Sequence, residues 1–274
     1  AERGLDVILL EPNRFLGRKL RITGKGRCNV TNDCDGKTVM ANIPGGAKFL
    51  YSALNRFSPA DTMQMFENLG VPLKTERGNR VFPVSDQSQD IIDGLVRYLN
   101  QTGVRVVHEA ALEIKTEEGV VTGVVTRNGT IACRNAVVCT GGLSYPATGS
   151  TGAGFQFARA AGHTVRHCRP SLVPLESPDE YCAEMQGFSL KNVTLSAFED
   201  DKLVYKELGE MMFTHFGVTG PLVLSASAHF RNMGTAEYRL EIDLKPALDE
   251  EKLDARILRD FEEQKNKEFK NALG

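Results

Sequence analysis

The chain has almost no net charge: 33 lysines and arginines face 35 aspartates and glutamates, a formal −2 over 274 residues. So even a balance creates no global field that would draw the protein to nucleic acid or to an anionic membrane. It also lacks any apolar run approaching the roughly 20 residues that a membrane-spanning helix requires. Neither nucleic acid nor a membrane is therefore expected as a partner. The cysteines are Cys28, Cys34, Cys133, Cys139, Cys168 and Cys182; none forms a Cys-x-x-Cys pair, and no cysteine–histidine spacing resembles a zinc site. No metal is expected, and this cysteine usage fits a reducing cytoplasm. There is no internal repeat, no low-complexity segment, no compact catalytic triad and no pair of carboxylates placed for acid–base work. What remains is an ordinary globular composition, 41% hydrophobic and 25% charged, with enough length for one large or two smaller domains.

Against that plain background one stretch stands out, Gly17-Arg18-Lys19-Leu20-Arg21-Ile22-Thr23-Gly24-Lys25-Gly26-Arg27-Cys28-Asn29-Val30-Thr31-Asn32. Gly24 and Gly26 let the main chain approach a ligand closely. Arg18, Lys19, Lys25 and Arg27 supply charge for an anion such as a pyrophosphate. Asn29, Thr31 and Asn32 add neutral donors and acceptors able to read a ring or a ribose. Cys28, beside Arg27, sits where a thiolate would be favoured; burial as a small structural residue is the other reading. Just upstream, Leu5-Asp6-Val7-Ile8-Leu9-Leu10-Glu11 reads as a buried parallel strand ending in an acid. In a dinucleotide-binding fold the acid at that position holds the ribose hydroxyls, and a Gly-x-Gly-x-x-Gly turn precedes it by roughly 20 residues. Only ten residues precede Glu11 here. The expectation is a chain that begins inside a domain, without that domain's first strand and glycine turn.

Residues 17–32 resemble the signature of the bacterial aminoacetone-oxidase-like (BaiN-like) flavoproteins, NAD(P)/FAD-dependent oxidoreductases with a two-dinucleotide-binding type of fold. The resemblance continues through Arg80-Val81-Phe82-Pro83-Val84-Ser85, Thr140-Gly141-Gly142-Leu143-Ser144-Tyr145-Pro146 and Ala147-Thr148-Gly149-Ser150-Thr151-Gly152. It extends to Pro170-Ser171-Leu172-Val173-Pro174-Leu175 and Phe213-Thr214-His215-Phe216-Gly217-Val218-Thr219-Gly220-Pro221. It implies an α/β FAD domain, a parallel sheet with an added antiparallel β-meander, carrying an inserted β-rich domain. By the resemblance, FAD would lie against Glu11 at the ribose, with Gly17, Arg18, Lys19 and the Gly24, Lys25, Gly26, Arg27, Cys28, Asn29 and Thr31 segment near the phosphates and flavin. The strand around Val107 would flank the adenosine half, and Thr140, Gly141 and Gly142 would close the site. NAD(P)H is the implied electron donor, a small organic molecule the implied substrate, and His215 the candidate catalytic residue, with a packed histidine as its bland alternative. The family's glycine turn and its carboxyl-terminal flavin-contacting segment are both missing from this sequence, so the chain by itself is expected to be an inactive fragment.

In chain order, helical spacing covers residues 47–57, and Ser58-Pro59-Ala60-Asp61 caps a second helix that ends at Gly70. A third helix runs from about Gln87 to Gly103, followed by a strand over Val104–His108. Short alternating runs from Ala111 to Arg134, with turns at Glu117-Glu118-Gly119 and Arg127-Asn128-Gly129, predict a three-stranded meander. Residues 135–142 then read as a third parallel strand ending in glycines, at the sheet end where open α/β folds bind ligands. The glycines of 149–154 open another helix without the Gly-Lys-Ser/Thr of a P-loop. The expected domains are 1–168 for FAD, 169–246 for an inserted β-rich substrate-side unit, and 247–274 as the start of a helical region, apolar at Leu253, Ile257, Leu258 and Phe261 and running to Phe269. Within the inserted unit, strands are expected at 189–198, 203–206 and 237–244, with a helix from Gly220-Pro221 to Ala228. A flavin-dependent oxidoreductase is the first functional reading; a non-catalytic flavin-binding or interaction module is the second.

Overall fold

A computed structural model describes residues 1–265. The chain divides into two compact units, one through Arg166 and one from His167.

In the first unit, Ile8–Leu10 pairs in parallel with Arg105–Val107, Ile8 opposite Arg105 and Leu10 opposite Val107. Parallel neighbours require a crossover, and the connecting chain supplies it with the helices Pro59–Asn68 and Ser88–Gln101. The first begins as its sequence dictates. Ser58 Oγ accepts from the Asp61 amide at 3.2 Å, Asp61 Oδ2 accepts from the Ser58 amide at 2.8 Å, and Pro59 takes the first turn. Ile91 of the second helix is buried with Phe66, Val71 and Cys28, and Leu20, Val30 and Met65 pack around them. A small antiparallel sheet in the order Thr31–Asn32, Arg80–Pro83, Leu73–Glu76 lies along the same connection. The meander forms as the turn chemistry predicts, over Glu113–Glu117, Val120–Thr126 and Gly129–Ala132.

Two expectations for this unit need correction. Residues 136–140 form no strand among the described residues, and Val137 and Val138 are 86% and 45% exposed. An apolar run becomes a buried parallel strand only where neighbours satisfy its backbone groups; the two-stranded sheet offers this run no ladder. For the same reason Ile8–Leu10 is half-buried rather than buried.

The second unit is built on a five-stranded antiparallel sheet. Its order is Tyr238–Asp243, Ser189–Glu199, Lys202–Thr214, Gly217–Thr219, Leu175–Glu176. Asp200 and Asp201 make the first hairpin turn, both in the left-handed region that short polar side chains tolerate (φ 46° and 64°). The helix Pro221–Ser227 lies against the sheet, and Leu195, Val223 and Ala226 at the contact are fully buried. The strand expected at 203–206 runs on to Thr214. Tyr205, Met211 and Phe213 keep the inward alternation, but Glu207 and Gly209 interrupt it in the sequence. Gly209 is where the Leu222 side chain approaches: a β-carbon there would lie 3.0 Å from it. The charged helix spans Glu250–Glu263, capped by Asp249 accepting from the Lys252 amide at 2.9 Å; Phe269 lies outside the described residues.

Candidate cofactor site

Asn13, which belongs to no sequence motif, is where the candidates Glu11 and Arg18 meet the 140–150 loop. Glu11, at the carboxyl end of the parallel strand, receives both the Asn13 amide and Asn13 Nδ2 on one oxygen, Oε1, at 2.8 and 2.7 Å. Asn13 Nδ2 also donates to the Thr148 carbonyl at 3.1 Å, and Asn13 Oδ1 accepts from Arg18 Nη1 at 3.0 Å. The Asn13 carbonyl accepts from His108 Nδ1 at 2.7 Å, which places the proton on that nitrogen. Lys19 Nζ donates to the Ser144 carbonyl at 2.9 Å. The strand-end acid, the start of the signature stretch and the 140–150 loop are thus one constellation, although up to 135 residues separate the partners. The only sequence signal for Asn13 was its place two residues past a strand-end acid, where an amide can close a local turn. Thr140 and Gly141 continue the loop, Gly141 at φ 71° with the buried Ser150 hydroxyl under it. Gly142 has open space where a side chain would be. Val107 joins through its backbone, its carbonyl accepting from the Glu11 amide at 3.0 Å.

The second half of the signature stretch behaves differently. Gly17 packs tightly on Ile92. Gly24, Lys25, Gly26 and Cys28 all have positive φ, 56°, 58°, 87° and 62°. Lys25 is exposed and makes no ion pair among the described residues. Arg27 is held from two sides: Nη1 donates to Glu76 Oε1 at 2.9 Å and Asp86 Oδ1 at 3.1 Å, and the guanidinium lies 3.9 Å from the Phe82 ring centroid. Lys74 bridges the same two carboxylates, at 2.6 Å from Asp86 and 3.6 Å from Glu76. Asp86 is held below the ordinary carboxylate range by its hydrogen bond to Lys74 first and to Arg27 after it. Its contribution is therefore complete above about pH 4, the unfolded-state value, and is lost as pH falls through the lowered one. The Asn29 amide nitrogen, oriented to satisfy it, donates to the carbonyls of Val81 and Thr31.

Arg27 is tied to two carboxylates within the fold. Cys28 is 2% exposed, and burial pushes its thiol up, which favours the small structural residue over the thiolate.

His215 belongs to the second unit, exposed at the tip of the hairpin between Lys202–Thr214 and Gly217–Thr219, with Phe216 edge-on at 5.0 Å. It is not packed under the Gly217–Gly220 turn, and no carboxylate pairs with it among the described residues. His215→Asn should accordingly change stability by less than about 0.5 kcal/mol, read by urea denaturation. An exposed imidazole that exchanges protons in turnover would appear separately, as an altered pH profile in the intact protein.

The residues of the first unit fit a dinucleotide. Glu11 keeps Oε2 outside its local bonds, Arg18 and Lys25 are surface cations, and the backbone at Gly142 is open to close approach. Among the described residues no group of three or more histidine, cysteine or acidic side chains could hold a metal, and no helix is long and apolar enough to cross a membrane.

A parallel pair with crossover helices, an acid at the strand end and glycine loops beside it define a Rossmann-type α/β protein. The family described as "HI0933-like protein Rossmann domain" matches residues 1–230, and the chain belongs to that family. It is similar to the 3-dehydro-bile acid delta(4,6)-reductase of Clostridium scindens, 27% identical over 250 residues that make up 89% of this chain and 59% of that protein. The ribosomal RNA dihydrouridine synthase of Escherichia coli is 29% identical over 92% of this chain and 62% of its own length, and that of Haemophilus influenzae 28% over 90% and 60%. The chain thus spans about three fifths of the length of these curated relatives. Among solved structures, the tryptophan 5-halogenase MibH aligns at 14% identity over 74% of this chain and 34% of its own, with a TM-score of 0.23.

Proposed function

We propose that the protein is an FAD-dependent oxidoreductase that adds two hydrogens across a carbon–carbon double bond. The observation that carries this is the convergence of Glu11, Arg18 and the 140–150 loop on Asn13, in a chain of this family. Glu11 Oε2, without a bond among the described residues, would take ribose hydroxyls, Arg18 would hold the pyrophosphate, and Gly141 and Gly142 would let backbone approach the cofactor closely. Lys19 contributes by holding the loop through Ser144. When bound, the flavin supplies hydride transfer, with NAD(P)H as the donor in this reading. The names of the relatives supply the reaction type: a steroid dehydro-acid reductase and a dihydrouridine synthase each describe saturation of a C=C bond. The β-rich unit, residues 169–246, is assigned to the substrate side.

A small unsaturated molecule is the first substrate class, in keeping with the even charge. A ribosomal RNA base is the second reading, favoured by exposed aromatic side chains in the stretch 49–57. Phe49, Tyr51 and Phe57 are 88%, 58% and 50% exposed beside Lys48 and Arg56, a pattern on which unstacked bases can lie.

The test is the absorbance spectrum of the purified intact protein, followed by NAD(P)H oxidation with a steroid enone or with unmodified ribosomal RNA as acceptor. Bound flavin and turnover with one acceptor are expected. A protein that neither carries nor takes up flavin would sink the reading; bound flavin without turnover on either acceptor would favour the non-catalytic module.

A further inference from the structure

Two motifs that lie nearly fifty residues apart in the sequence meet at Arg27. The segment Arg80–Ser85 has no place in the cofactor constellation around Asn13, yet its strand backs the signature turn. Thr31 pairs with Val81, Asn29 donates to the Val81 carbonyl, Phe82 lies under the Arg27 guanidinium, and Asp86 follows directly. The turn needs such backing. Lys25 and Cys28 are non-glycine residues at φ 58° and 62°, and Asp86 itself stands at 58°. Backbone in this region persists only where its surroundings over-determine it. Cys28 is anchored by burial and by its amide, which donates to the Thr23 carbonyl at 3.0 Å. Arg27 is anchored by two carboxylates and a ring face, with Lys74 keeping the carboxylates from repelling each other. Just ahead of these anchors, Lys25 is exposed as the turn's surface cation.

We propose that Asp86 is a positioning residue of the cofactor site: by clamping Arg27 against Phe82 it fixes Gly24, Lys25 and Gly26 in their left-handed turn, and so sets how tightly the intact protein holds flavin. The link to flavin rests on the functional reading above; the clamp rests on the geometry alone.

Trypsin cleavage after Lys25 and flavin titration of the intact protein, for wild type, Asp86→Ala and Asp86→Glu, separate the two. Loss of the carboxylate should open the turn locally, raising the rate of cleavage after Lys25 about ten-fold while cleavage after Arg127 in the meander hairpin stays constant. Flavin should bind about ten-fold more weakly, equivalent to about 1.4 kcal/mol. Asp86→Glu should recover both in large part, which a purely structural loss would not show. Should Asp86→Ala fail to fold, Asp86→Asn keeps the side chain's shape and removes only its charge. Cleavage after Lys25 at the wild-type rate would overturn the proposal, as would an opened turn with undiminished flavin affinity. A wild-type protein that takes up no flavin would overturn the functional reading, and the cleavage ratio would still decide the clamp.

Discussion

Gly217→Ala should destabilise the second unit by about 3–5 kcal/mol, enough to leave much of the protein unfolded or insoluble. Gly217 stands at φ 150° in the short strand that pairs with Leu175–Glu176. A β-carbon there would overlap the Leu175 carbonyl oxygen and lie 2.8 Å from the Ser177 amide nitrogen. Both obstacles are backbone, so no side chain can swing aside. Relief would require parting the ladder that places Ser177 N 3.0 Å from the Phe216 carbonyl. Urea denaturation of Gly217→Ala beside His215→Asn makes the contrast: two neighbours in one motif, one sterically indispensable and one at the surface. If Gly217→Ala melts within about 1 kcal/mol of wild type, that strand pairing is wrong.

Gly24→Ala should lower flavin affinity in the intact protein by about ten- to a hundred-fold while leaving the second unit intact. The left-handed backbone at φ 56° costs an alanine about 1–2 kcal/mol. Its β-carbon would sit 2.9 Å from the Asn29 amide and 3.1 Å from the Phe82 ring, the group that supports Arg27. Gly142→Ala is the counterpart, because nothing of the protein lies within 4 Å of a β-carbon there. Stability should be unchanged, and only a bound cofactor would register the methyl group. Flavin titration with thermal melts checks both, and a Gly142→Ala protein binding flavin like wild type would remove that loop from the site.

Local chemistry made much of the first unit legible. The Ser58–Asp61 box and the Gly119 turn act through neighbours a few residues away, so reading a short window sufficed. The fold class was legible for a similar reason, since a strand-end acid beside glycine loops belongs to few architectures. The clamp was not legible. Arg27 finds Glu76 and Asp86 across 49 and 59 residues, and only the hairpin Leu73–Glu76 with Arg80–Pro83 brings them together. Read alone, Arg27 offers its charge to an anion, and nothing near it in the sequence announces Glu76 or Asp86. Residues 136–140 failed in the opposite direction: apolar content promised a strand, but a strand is a relation between neighbours, and content alone does not supply one. The long strand ending at Thr214 was hidden by its own packing, since Gly209 makes room for Leu222 at the cost of the alternating pattern.

The parallel pairing of Ile8 with Arg105 has a kinetic corollary. Its two strands cannot meet until the whole intervening chain, helices included, has been drawn into a closed loop, and closing a long loop has to precede any reward from the contacts it permits. The hairpin of the second unit, from Ser189 to Thr214, zips from its own Asp200-Asp201 turn and needs no distant partner. The two units should therefore acquire structure on separate clocks, the antiparallel one first. During refolding, the half-buried edge at Ile8–Leu10 would then be the last apolar surface to find cover, and the place where concentrated protein begins to associate.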